Sequence, residues 1–97
     1  MPFAMIQEFE VSDHSTTNYD ALSERLRAGP PAEGLLVHTA GFDDEAGVFR
    51  VFDIWESQAQ ADAFQTRVME LVGEIVPADA PGPSRSAFYE LHDFVKQ

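Results

Sequence analysis

The chain contains no cysteine, which excludes disulfides, thiolate metal sites and a cysteine nucleophile. Basic residues are few: 6 Lys and Arg stand against 17 Asp and Glu, a formal net charge of -11. Most of such a surface repels a nucleic-acid backbone or an anionic bilayer. Arg25, Arg27, Arg50, Arg67, Arg85 and Lys96 are scattered along the chain, so neither nucleic acid nor membrane is an expected partner. No apolar run approaches the ~20 residues that a membrane span requires. No basic stretch followed by an apolar core opens the chain, so no signal peptide is expected and the cytoplasm is the expected location. His14, His38 and His92 are too widely separated to form a recognisable metal set. Phosphate loops, nucleophile elbows and dinucleotide fingerprints are also missing. The expectation is therefore a protein that uses neither metal nor cofactor.

What the chain does have is regular patterning. Its 97 residues, 44% of them hydrophobic, suit a single domain over residues 1–97. Phe3 to Val11 alternates as a strand, and Tyr19, Leu22 and Leu26 recur at helical spacing between Thr17 and Ala28. Gly29-Pro30-Pro31 ends that helix, because proline lacks the amide proton and restricts the residue before it. Leu35 to Phe42 reads as a second strand. Asp43 to Gly47 is a hairpin loop in which Gly47 can take a positive φ. Val48 to Glu56 is the third strand. Ser57-Gln58-Ala59-Gln60 matches a capping box, and Ala61, Phe64, Val68, Leu71, Val72 and Ile75 form the apolar stripe of a second helix. Pro77 to Ser86 reads as a loop and Ala87 to Val95 as the fourth strand. The order β-α-β-β-α-β predicts an α+β, ferredoxin-like fold with a four-stranded antiparallel sheet.

Val48 to Ser57 reads V-F-R-V-F-D-I-W-E-S and is apolar on both faces of a strand. Phe49, Val51, Asp53 and Trp55 share one face; Val48, Arg50, Phe52 and Ile54 share the other. A sheet with one wet face alternates apolar with polar, so this one is expected to be covered on both sides. Two helices cover one face. A second copy of the chain, paired sheet to sheet about a two-fold axis, covers the other. A homodimer is thus expected, with Arg50 as the residue in its core that needs a partner.

With Trp55-Glu56-Ser57 leading from the third strand into the second helix, the chain resembles the antibiotic biosynthesis monooxygenase-like family of dimeric α/β-barrel proteins. The resemblance covers nearly the whole chain. It implies a ligand cleft between helices and sheet, lined in quinone-forming, cofactor-free members by a tryptophan that Trp55 matches. Those members place an asparagine four residues before it, where this chain has Val51, and a tyrosine six residues after it, where this chain has Ala61. Other members carry a histidine or tryptophan nine residues after it, where this chain has Phe64. The polar groups of both chemistries are thus replaced by apolar ones.

A four-residue hairpin loop pairs Asp43 with Val48 and sets His38 opposite Asp53. Alternation then groups Leu36, His38, Asp53 and Trp55 on one face, which the family resemblance implies is the one toward the helices. A histidine held by a carboxylate is oriented and more basic, which suits a general base; the same pair also serves simply to satisfy two buried polar groups. The candidate catalytic residues are His38 and Asp53. The candidate pocket residues are Trp55, Tyr19, Leu36, Val51 and Phe64. His14 is expected in a solvated loop, His92 on the fourth strand, and Glu8, Glu10 and Glu90 as rim charges. The expected activity is monooxygenase-like: cofactor-independent oxidation of a small aromatic, hydrophobic substrate. The alternative is a non-catalytic homodimer that binds a small ligand or is purely structural.

Overall fold

The computed structural model describes residues 1–96. Four strands and two helices follow one another as β1 (Phe3–Glu10), α1 (Thr17–Ala28), β2 (Leu35–Asp43), β3 (Val48–Trp55), α2 (Gln58–Ile75) and β4 (Arg85–Glu90). The strands form one sheet in the order β2-β3-β1-β4, and every neighbouring pair is antiparallel. This is the ferredoxin-like arrangement anticipated from the element order.

Local chemistry explains the boundaries. α1 stops at Gly29 before Pro30-Pro31, and the Arg67 guanidinium donates to the carbonyls of Leu26 and Pro30 at 2.8 and 2.7 Å. An arginine on α2 thereby adds to the Gly29 amide, which donates to the same Leu26 carbonyl at 3.3 Å, in tying down the end of α1. α2 begins at Ser57, whose hydroxyl oxygen accepts from the Gln60 amide at 3.3 Å and donates to the Gln60 side-chain oxygen at 3.0 Å. In the β2–β3 hairpin the Asp43 carboxylate accepts from the Ala46 amide, and Gly47 sits at φ 70°. Gly34, at φ 86°, packs against Gln60 so closely that a Cβ there would lie 2.3 Å from its amide oxygen.

β4 departs from the expected range at both ends. It starts at Arg85 because the β1 backbone already offers partners there: Glu8 pairs with Arg85 and Gln7 with Ser86. It ends at Glu90 because β1 runs out, Phe3 being the partner of Glu90. One further bond, from the Leu91 amide to the Pro2 carbonyl, completes the pairing. His92, Phe94 and Val95 therefore follow the strand instead of belonging to it.

Both helices lie on one face of the sheet. On that face Tyr19 of α1 packs edge-on against Phe49 of β3 with ring centroids 5.2 Å apart, and Phe64 of α2 packs on Trp55 at the same distance. Strand alternation gives the outer face Ala4, Ile6, Glu8, Val37, Arg50, Phe52, Ile54 and Tyr89. Ala4 and Ile54 are buried there, whereas Ile6, Val37 and Phe52 are only half-buried and Tyr89 is 45% exposed. Arg50 finds its partners within the chain, donating to Glu8 at 2.7 Å and to Asp43 at 3.0 Å. Backbone amides and Arg50 together hold the Asp43 carboxyl below its ordinary pKa.

Candidate functional site

The hairpin sets the site. Gly47 closes a loop that pairs Asp43 with Val48, and counting back along that register brings His38 opposite Asp53. Asp53 is 3% exposed and its carboxylate accepts from His38 Nδ1 at 2.6 Å. An ionised carboxylate can only accept, so the ring proton is at Nδ1 and Nε2 is left for another partner. That partner is the Tyr19 hydroxyl, 2.7 Å away. Neutral His38 accepts the Tyr19 proton at Nε2; protonated His38 donates to the Tyr19 oxygen instead and frees the phenolic proton for a third group. The Tyr19 and His38 rings lie nearly parallel, at 7°, while Phe49 braces Tyr19 and is itself braced by Phe42 at 4.9 Å.

The electrostatics follow from these contacts. The hydrogen bond to Asp53 raises the His38 pKa above its ordinary 6.5, against the opposing effect of burial. Burial, and next the Asp53 charge, raises the Tyr19 pKa above 10.0, so the hydroxyl stays protonated throughout the neutral range. The three residues form a proton-carrying chain with its charged end buried and its hydroxyl end beside a cleft.

That cleft, of about 330 Å³, lies between α1, the segment after it, and the β2–β3 pair. Its volume is at the small end of the range for ligand sites. Leu22, Leu26, Leu35, Pro31 and Phe64 supply apolar walls, and Tyr19, His38, Asp53 and Arg27 supply polar groups. A second groove, between the helices, holds Arg25, Arg67 and Glu74. Its two arginines are engaged: Arg25 pairs with Glu74, and Arg67 holds the carbonyls of Leu26 and Pro30.

Of the residues singled out from the sequence, His38, Asp53, Tyr19 and Phe64 come together at the cleft. Leu36 does not. β2 carries a bulge, with Leu35 paired to Trp55 and Val37 to Ile54, so Leu36 is the extra residue, 36% exposed. Alternation counted back from His38 is broken there, and Leu35 takes the wall position. Trp55 is fully buried behind Phe64 instead of lining the cleft, and its indole N–H has no hydrogen-bond partner among the described residues. Val51 shares the face of Asp53, opposite Ala40 and Gln7, but is not part of the cleft wall. His14 is exposed in the loop before α1, as expected, where it stacks on Phe42 at 4.3 Å and bonds Asp44 at 2.6 Å. Leu22 and Leu26 were legible as the helical partners of Tyr19. Arg27 and the Pro30-Pro31 wall carried no signal of a site.

Among the described residues no three His, Asp or Glu side chains converge in a metal-holding group, and no helix is long and apolar enough to cross a membrane.

No family profile matches the sequence, and no curated protein matches it. Solved structures do match in fold. A protein from Chloroflexus aurantiacus, described as a candidate antibiotic biosynthesis monooxygenase, superposes with a TM-score of 0.67 at 13% identity, covering 99% of this chain and 98% of its own. SnoaB, a cofactor-independent oxygenase from Streptomyces nogalater, gives 0.62 at 9% identity over 99% and 98% of the two chains. The ActVA-Orf6 monooxygenase of Streptomyces coelicolor, solved with the ligand nanaomycin D, gives 0.57 at 17% identity over 98% and 91%. The chain has the fold of antibiotic biosynthesis monooxygenase-like proteins. At these identities the likeness is one of fold, and fold alone does not specify a reaction.

Proposed function

We propose that the cleft binds a small aromatic, hydrophobic substrate bearing a phenolic hydroxyl and oxidises it with dioxygen, without metal or flavin. The observation that carries this reading is the Asp53–His38–Tyr19 chain, which ends in an apolar cleft. The fold it shares with a cofactor-independent oxygenase supports it. Neutral His38 draws the Tyr19 proton as Tyr19 takes the phenolic proton of the substrate. The electron-rich phenolate then reduces dioxygen, and the two join at the ring carbon para to the oxygen. The peroxide oxygen takes back the proton held on the chain. Loss of the proton on that carbon, with cleavage of the O–O bond, releases water and leaves a quinone. One dioxygen is consumed, with one oxygen atom in product and one in water.

The experiment is oxygen uptake by chelator-treated protein with a panel of naphthols and hydroxyanthracenes, corrected for the protein-free rate. The expected result is uptake with at least one of them that falls about 10²-fold or more in His38→Ala, as for loss of a general base. Full activity in His38→Ala overturns the mechanism. The apolar side chains of Val51, Ala61 and Phe64 favour a second reading, a module that binds such ligands without turnover. It is distinguished by thermal stabilisation with no oxygen uptake.

We infer further that the working unit is a homodimer, two chains paired through their outer sheet faces as an α/β barrel. The half-buried Ile6, Val37 and Phe52 on that face support this, and Tyr89 adds exposed aromatic surface beside them.

A further inference from the structure

We propose that Arg27 makes the cleft selective for ligands that carry a carboxylate beside their aromatic body. The inference rests on the reading of the cleft as a ligand site and adds the class of ligand it takes. Arg25, Arg50, Arg67 and Arg85 each hold an acidic side chain or helix carbonyls. Arg27 is exposed, lines the cleft, and has no hydrogen bond or ion pair among the described residues. Its charge nonetheless reaches the site, where it lowers the pKa of both Tyr19 and His38. The helix dipole accounts for a cation in the last turn of α1. It does not account for one that faces a cleft and pairs with no acidic side chain among the described residues, in a chain of net charge -11.

The other charges around the cleft are consistent with this. Asp53 is the buried anion of the wall, and its carboxylate is engaged by His38. Asp20, which also acts on Tyr19, is bonded by the Thr16 hydroxyl. A carboxylate at the mouth thus meets a free guanidinium, whose planar fork matches it with two parallel N–H donors. The ring system lies along Leu26, Leu35 and Phe64. A chain of net charge -11 repels an anionic ligand over most of its surface, so an unpaired cation at the mouth gives such a ligand both position and entry.

The test is calorimetric titration of 2-naphthoate and its neutral analogue 2-naphthamide into the intact protein, Arg27→Gln and Arg27→Lys. The expected result is that the wild type binds 2-naphthoate about tenfold more tightly than 2-naphthamide at low ionic strength. The preference shrinks as salt is raised. Arg27→Gln brings the ratio near one, and Arg27→Lys restores part of it. Equal affinities in the wild type, or a ratio unchanged in Arg27→Gln, overturn the assignment of Arg27 while leaving the cleft a binding site. Failure of both probes to bind overturns the binding reading as well.

Discussion

Both ring nitrogens of His38 are engaged, by Asp53 on one side and Tyr19 on the other, so a proton that His38 exchanges with a ligand passes through the Tyr19 hydroxyl. Tyr19→Phe is therefore expected to lower kcat by about 10²-fold or more, as His38→Ala does. The double variant is expected to lose little beyond either single one, because groups that act as a unit are not additive. Steady-state oxygen uptake measures all three, and full activity in Tyr19→Phe would place the acting proton on His38 alone. The raised His38 pKa gives a second prediction with a definite sign. The folded protein binds the His38 proton more tightly than the unfolded chain does. The resulting stabilisation is fully present below pH 6.5 and is lost as pH rises through the higher folded value. Denaturant unfolding is expected to show a larger gap between wild type and Asp53→Asn at pH 6 than at pH 9. Proton NMR of His38 is expected to titrate above 6.5 in the wild type and lower in Asp53→Asn.

The elements show which features a sequence pattern transmits. The Ser57 cap rests on one serine oxygen that accepts an amide and on Gln60 three residues later. Ser57→Ala is expected to cost about 1 kcal/mol of unfolding free energy, read as a lower denaturant midpoint at unchanged slope; no shift would mean that Gln60 and packing hold the helix start unaided. Such signals, with the period of two in β1 and β3 and the Gly29-Pro30-Pro31 stop, are local, and the element order was legible from them. The His38–Asp53 pairing was legible for the same reason, since loop length and Gly47 set the hairpin register. The bulge at Leu36 was not, because one extra residue leaves the composition of β2 unchanged while shifting Leu35 to the wall beside Trp55. The end of β4 was not legible either. Alternation continues past Glu90, but whether it forms a strand depends on how far β1 extends beside it. The second hydrogen bond of His38, to Tyr19, depends on how α1 sits over the sheet, and no spacing along the chain encodes that contact. Arg27 differs from the other arginines only in lacking a partner, a property of the folded molecule.

For the whole molecule, a 97-residue chain buries a modest share of its surface, and the two sides of its sheet are treated unequally. The helix side closes over Trp55 and Asp53, whereas on the outer side Ile6, Val37 and Phe52 stay half-buried and Tyr89 is 45% exposed. Arg50 already pairs with both Glu8 and Asp43 on that side, so a second copy docked there would strand no unpaired charge among these three, the condition under which burying ions is tolerable. Pairing through this face predicts a light-scattering mass of twice the 10.8 kDa chain at micromolar concentration. Phe52 tests the surface used. It is half-buried in one chain and lies opposite Ile6 and Thr39, so Phe52→Glu leaves the helix-side core intact while placing two carboxylates, one from each chain, in the contact. The expected outcome is a shift to the single-chain mass with the helix and sheet signals of circular dichroism retained and the melting temperature lowered. A wild type already at the single-chain mass would rule the dimer out. A Phe52→Glu variant that stays dimeric would place the contact elsewhere on the molecule, away from the sheet.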